Sequence, residues 1–89
     1  MNTFQEILMV FNEHLKEKFN ELKVKELIIT NTTLVDLVHY ARGIIVSVEE
    51  AQSVFLYLEG IGVIEYSSFI NAWIIYQKPF MELMGNKND

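Results

Sequence analysis

The sequence predicts a small α+β domain that contains three helices, a short strand and a C-terminal β-hairpin. Three observations predict this fold class. Apolar residues recur at helical spacing before residue 60, β-branched and aromatic residues cluster after it, and 89 residues leave room for one domain. We expect residues 1–84 to form this domain and residues 85–89 to form a frayed tail.

The first predicted helix spans about residues 4–23 and begins at a capping box formed by Thr3 and Glu6. Its apolar residues recur every three or four positions, and polar residues fill the opposite side, as is typical of an amphipathic helix. Met9 and Val10 widen the apolar stripe and indicate a second contact surface. The main stripe consists of Phe4, Ile7, Leu8, Phe11, Leu15, Phe19 and Leu22.

A short strand and a second helix follow. Residues 26–30 are rich in β-branched side chains and too few for a helix, so they predict a strand. Residues 31–33 offer several N-caps for a helix over about 33–42, and Gly43 ends that helix in the left-handed conformation.

The third predicted helix spans about residues 48–60. Ser47 and Glu50 form the capping box that opens it, and two glycines, Gly60 and Gly62, end it. Its inner apolar stripe consists of Ala51, Val54, Phe55 and Leu58.

Residues 63–66 and 70–77 predict two strands joined by a three-residue turn, followed by a proline and at most one helical turn. Both faces of the second strand are apolar, so the alternation does not by itself select the inner face. We place Ile74 toward the core and Trp73 and Ile75 on the outer face, with Trp73 half-buried against the first helix as the alternative. The predicted core consists of Phe11, Leu15, Phe19, Leu37, Ala51, Val54, Phe55, Leu58 and Ile74.

This order of helices and strands is that of a winged helix-turn-helix domain. Residues 57–66 resemble the junction between the third helix and the wing of such domains, where a leucine precedes a glycine and two aliphatic residues. With residues 47–51, they also resemble the accessory winged helix that follows the motor in RecQ-like DNA helicases. The resemblance implies a wing that touches duplex DNA through aromatic residues, here within residues 66–69. The chain has no motor motif and no cysteine-rich zinc module, so the resemblance implies no ATPase activity.

The charge distribution argues against ordinary major-groove recognition by the third helix. The formal net charge is −5, and residues 47–62 contain three glutamates but no lysine or arginine. Phosphate contacts need positive charge, and base edges are read mainly by Arg, Lys, Asn and Gln. The candidate nucleic-acid-binding residues are therefore limited to Gln52, Ser53, Tyr66 and Phe69.

The apolar content favours a protein partner instead. Apolar residues make up 51% of the chain, and a domain of this size has little interior in which to bury them. We expect an interaction module that binds protein, as a homodimer or with another partner such as a regulator of nucleic-acid machinery. DNA binding by a small transcription regulator or helicase accessory domain is the alternative. The predicted interface consists of Ile7, Met9, Val10, Trp73 and Ile75.

No sequence pattern indicates an enzyme. His14 and His39 lack the spaced partners of a metal or catalytic site, and the chain has no cysteine and no glycine-rich phosphate loop. We therefore expect no catalytic residue, cofactor, metal or small-molecule ligand. The chain also has no signal-peptide pattern and no apolar run long enough for a membrane span, so the expected location is cytoplasmic.

Overall fold

The computed structural model describes residues 2–88, with side chains through residue 85. These residues form four helices and a three-stranded antiparallel sheet, so the predicted α+β class is confirmed and the predicted number of helices is wrong. In chain order the elements are α1 (Thr3–Leu22), β1 (Glu26–Ile29), α2 (Asn31–Arg42), α3 (Val48–Gly60), β2 (Ile64–Ser67), β3 (Ala72–Tyr76) and α4 (Gln77–Asn88).

The sheet has the order β1-β3-β2, which places the last strand of the chain in the centre. β2 and β3 form the predicted hairpin, but the connection is four residues long, because Ser67 pairs with Ala72. Asn71, the last residue of this turn, has a φ of 56°. Asparagine tolerates this left-handed conformation better than most residues, so it suits the tight return of the chain.

Only one helical turn of α4 was predicted. Pro79 suggests the end of a strand, yet it lies in the first turn of α4, where the backbone N–H that proline lacks has no partner within the helix. The buried Phe80 side chain attaches α4 to the core, with its ring 5.7 Å from that of Phe19. The boundary predicted between residues 84 and 85 falls inside α4, and Asp89 lies outside the described residues.

Local capping signals fix the ends of the helices. Gly43 ends α2 with a φ of 70°, and the Ser47–Glu50 capping box opens α3, both as predicted. The predicted N-caps of α1 and α2 are each one residue or more too late. The Asn2 side chain accepts a hydrogen bond from the backbone N–H of Gln5, and Thr30 caps α2.

Ser47→Ala is expected to destabilise the domain by about 1 kcal/mol, because the N–H of Glu50 then loses its 3.0 Å hydrogen bond to the Ser47 hydroxyl. Urea denaturation followed by circular dichroism measures this loss. Ser68→Ala in the hairpin turn is the matched control, and equal midpoints for the two variants would contradict the prediction.

The core lies between the helices and one face of the sheet. Seven of the nine predicted core residues are buried, whereas Leu37 and Ile74 are only half-buried. The assignment of the faces of β3 was wrong. Trp73 lies opposite Ile29 and Tyr66, and its ring stacks on the Phe55 ring at 5.0 Å, so Trp73 and Ile75 point toward the helices.

Candidate functional site

The predicted interface is largely inside the domain. Ile7, Val10, Trp73 and Ile75 are at most 4% exposed, so the expectation that they form a surface patch is wrong. Ile7 and Val10 are buried because α1 packs against α2, α3 and β1 and therefore needs a wide apolar stripe. Only Met9 is on the surface, with 39% of its area exposed.

The four residues predicted as candidates for nucleic-acid binding are all exposed. Two of them, Gln52 on α3 and Tyr66 on β2, line a common groove. The other two do not line it. The Ser53 hydroxyl donates to the backbone carbonyl of Glu50, and Phe69 projects almost fully into solvent from the hairpin turn.

This groove lies between the outer side of α3 and the β2–β3 hairpin and has a volume of about 340 Å³. Its apolar surface is provided mainly by Leu56 and Tyr66, which are 52% and 43% exposed, and by the edge of the buried Trp73. The lining residues are Asn31, Gln52, Leu56, Glu59, Tyr66 and Trp73. We refer to it as the α3–hairpin groove.

Several contacts hold the aromatic side chains of the α3–hairpin groove in place. The Trp73 ring lies parallel to Phe55 and meets the edge of Tyr66, with both centroid distances 5.0 Å. The Trp73 indole N–H donates to Asn31 Oδ1 at 2.9 Å, and the Tyr66 hydroxyl donates to Asn71 Oδ1 at 2.6 Å. Because both polar groups are satisfied within the domain, the aromatic surface is fixed before any ligand arrives.

Five of the six residues that line the groove belong to an acidic part of the chain. Residues 43–77 contain four of the twelve carboxylates and none of the seven lysines and arginines, so they carry −4 of the formal −5 charge. They contain no histidine either. Glu59 lines the groove, and Glu49 is also exposed on α3, ten residues earlier. The formal charge of this segment is therefore negative and favours a cationic ligand over an anionic one.

Two cationic side chains of the other elements, Arg42 and Lys18, form ion pairs away from the groove. Arg42 at the end of α2 lies 3.3 Å from the Glu6 carboxylate and 3.6 Å from that of Glu13, and Lys18 lies 3.8 Å from Glu21. Partial burial lowers the pKa of His14, and Lys18 lowers it further. These side chains belong to α1 and α2, and none of them lines the groove.

The sequence did not predict three of the residues that line the groove, Asn31, Leu56 and Glu59. Asn31 was a candidate helix cap, but its side chain accepts from Trp73 instead. Leu56 lies opposite the buried stripe of α3, so its helical position alone indicates an exposed apolar side chain. Tyr66 was correctly placed on the surface of the hairpin, although its contact with Trp73 requires the sheet register.

Comparisons with protein-family models, with curated proteins and with solved structures find no match to this chain. Within residues 2–88, none of the helices is both long and apolar enough to cross a membrane. The same part of the chain contains no cluster of His, Asp or Glu side chains that would hold a metal ion.

Proposed function

We propose that the chain is a non-enzymatic, cytoplasmic winged helix that binds a protein partner through the α3–hairpin groove. The observation that carries this proposal is a preformed groove with exposed apolar side chains in a segment that has no cationic residue. Such a surface suits the apolar and aromatic contacts that dominate binding between proteins.

The order of the elements supports the winged-helix part of the proposal. Three helices and a first strand precede a hairpin, and the first strand pairs with the second strand of that hairpin. In this interpretation α3 occupies the position of the recognition helix and β2–β3 forms the wing. The additional helix α4 packs on the core through Phe80 and lies outside the predicted pattern.

DNA binding is the alternative function, either in a small transcription regulator or in a helicase accessory domain. The exposure of Phe69 and Tyr66 on the wing favours it, because aromatic side chains stack on unpaired bases. Charge opposes it. DNA-binding proteins gain most of their non-specific affinity from Lys and Arg contacts to phosphate, and α3 and the hairpin provide none.

A DNA titration separates the two functions. We expect duplex and forked oligonucleotides to bind with a Kd weaker than about 10 µM even at low salt, because non-specific binding by basic proteins reaches roughly 10⁻⁴–10⁻⁶ M. Fluorescence anisotropy of labelled DNA measures this affinity.

The double variant Glu49→Lys/Glu59→Lys provides a positive control, since it places two cations on the exposed surface of α3. It is expected to gain a salt-dependent affinity for DNA. If the wild-type protein instead binds DNA with a Kd below about 10 µM, and Phe69→Ala loses this binding, the DNA-binding function is established.

A further inference from the structure

We propose that the occupant of the α3–hairpin groove is a short peptide segment of another protein, in which lysine or arginine residues flank a large apolar side chain. This inference rests on the proposed protein-binding function and specifies the chemistry of the partner. It follows from the apolar surface of the groove, from the positions of the carboxylates around it and from the absence of cations in residues 43–77.

The apolar part of the ligand is indicated by the shape and lining of the groove. Its volume of about 340 Å³ is near the lower end of the about 300–1,000 Å³ that is usual for ligand pockets. Leu56 and Tyr66 expose about half of their surface there, beside the edge of Trp73. A leucine, methionine or aromatic side chain from the partner would cover these surfaces without any rearrangement of the domain.

The basic part of the ligand is indicated by the carboxylates along α3. Glu49 and Glu59 are both exposed and lie ten residues apart, which corresponds to about 15 Å along the helix axis and about 80° around it. Leu56 lies between them, so an apolar side chain bound at Leu56 has a carboxylate on each side. Cations that flank this side chain would meet both carboxylates, with no lysine or arginine of residues 43–77 to compete.

The chain itself contains one segment of similar composition at the end of α1, where Leu22, Lys23, Val24 and Lys25 are exposed. Insertion of this segment into the groove of a second copy would join two different surfaces. The backbone of this segment is hydrogen-bonded within its own domain, from the Lys23 N–H to the Phe19 carbonyl and from the Gln77 N–H to the Lys25 carbonyl. A segment of another protein, without such contacts, is therefore the occupant that fits the groove.

A random peptide library displayed on phage and selected on the wild-type domain tests the inference. Counter-selection uses Leu56→Ala/Tyr66→Ala, which changes two half-exposed side chains and is checked for folding by circular dichroism. We expect the selected peptides to carry Lys or Arg on both sides of a Leu, Met or aromatic residue.

A synthetic copy of the selected peptide is then titrated against the domain. Trp73 is the only tryptophan of the chain and lines the groove, so its fluorescence reports occupancy. Glu49→Lys/Glu59→Lys is expected to weaken the Kd at least about tenfold, since two attractive pairs become repulsive. Ile28→Asp, on the outer face of the sheet, is the matched control and should leave the Kd unchanged.

Three results would overturn the inference, and they differ in whether the proposed protein-binding function is also refuted. Selected peptides that need Leu56 and Tyr66 but are neutral or acidic would leave the protein-binding function intact and refute the basic partner. The absence of any peptide that depends on these two residues would refute the protein-binding function as well. Sedimentation equilibrium could show that the wild-type mass rises with concentration. If Leu56→Ala/Tyr66→Ala abolishes this rise, the occupant is a second copy of the chain.

Discussion

Phe55→Ala is expected to destabilise the domain by about 3–5 kcal/mol, which is enough to unfold much of the population of a small domain. Phe55 is completely buried and lies between two other aromatic rings. Its centroid is 5.2 Å from that of Phe11 on α1 and 5.0 Å from that of Trp73 on β3. Truncation therefore leaves a cavity where α1, α3 and the sheet meet, and these rings cannot collapse into it without separating the elements.

Guanidinium denaturation measures the free energy of unfolding of this variant. Leu56→Ala, one residue further along α3, is the matched control, because this side chain is half-exposed and its truncation should cost less than about 1 kcal/mol. If Phe55→Ala loses less than Leu56→Ala, the inner and outer faces of α3 are assigned incorrectly.

Trp73→Glu is expected to abolish folding, with a cost of more than about 5 kcal/mol. Trp73 is 4% exposed, and its replacement removes the stack on Phe55 and the hydrogen bond to Asn31. The new carboxyl group would have to be buried among apolar side chains or protonated, and both outcomes are unfavourable. Far-ultraviolet circular dichroism measures the loss of structure directly.

Met9→Glu is the control for this experiment, since Met9 is the one residue of the sequence-predicted interface that the fold leaves exposed. This variant should remain folded with a stability close to that of the wild type. A folded Trp73→Glu protein with a reduced oligomeric mass would instead support the interface that the sequence predicts.

Features determined by a few neighbouring residues could be predicted from the sequence. The Ser47–Glu50 capping box and the left-handed Gly43 depend only on local backbone geometry, and both are present as expected. The long amphipathic α1 was equally clear because its apolar period extends over five turns.

Features determined by tertiary packing could not be predicted. Trp73 and Ile74 are both apolar and adjacent, so period-two alternation assigns neither to the core. The register of the sheet decides which of the two faces the core, since it brings Trp73 beside Tyr66 and against the Phe55 ring. Pro79 was equally ambiguous, because proline is compatible both with the end of a strand and with the first turn of a helix.

The candidate site was predictable in charge but not in shape. The absence of Lys and Arg from residues 43–77 is visible in the sequence and already disfavours DNA. The groove itself is formed by side chains from α2, α3, β2 and β3, among them Asn31 and Trp73, which lie 42 positions apart. No local pattern connects residues at that separation.

The central position of β3 affects how the chain folds during synthesis. β1 has only β3 as a partner, and the paired residues Ile29 and Trp73 are 44 positions apart. A ribosome-bound chain therefore completes α1, α2 and α3 while β1 still exposes both edges. Pairing over this distance must overcome the entropy of loop closure before any contact forms, so we expect the sheet to pair late in folding. Until β3 emerges, the unpaired Leu27, Ile28 and Ile29 are the segment most exposed to aggregation and to capture by a chaperone.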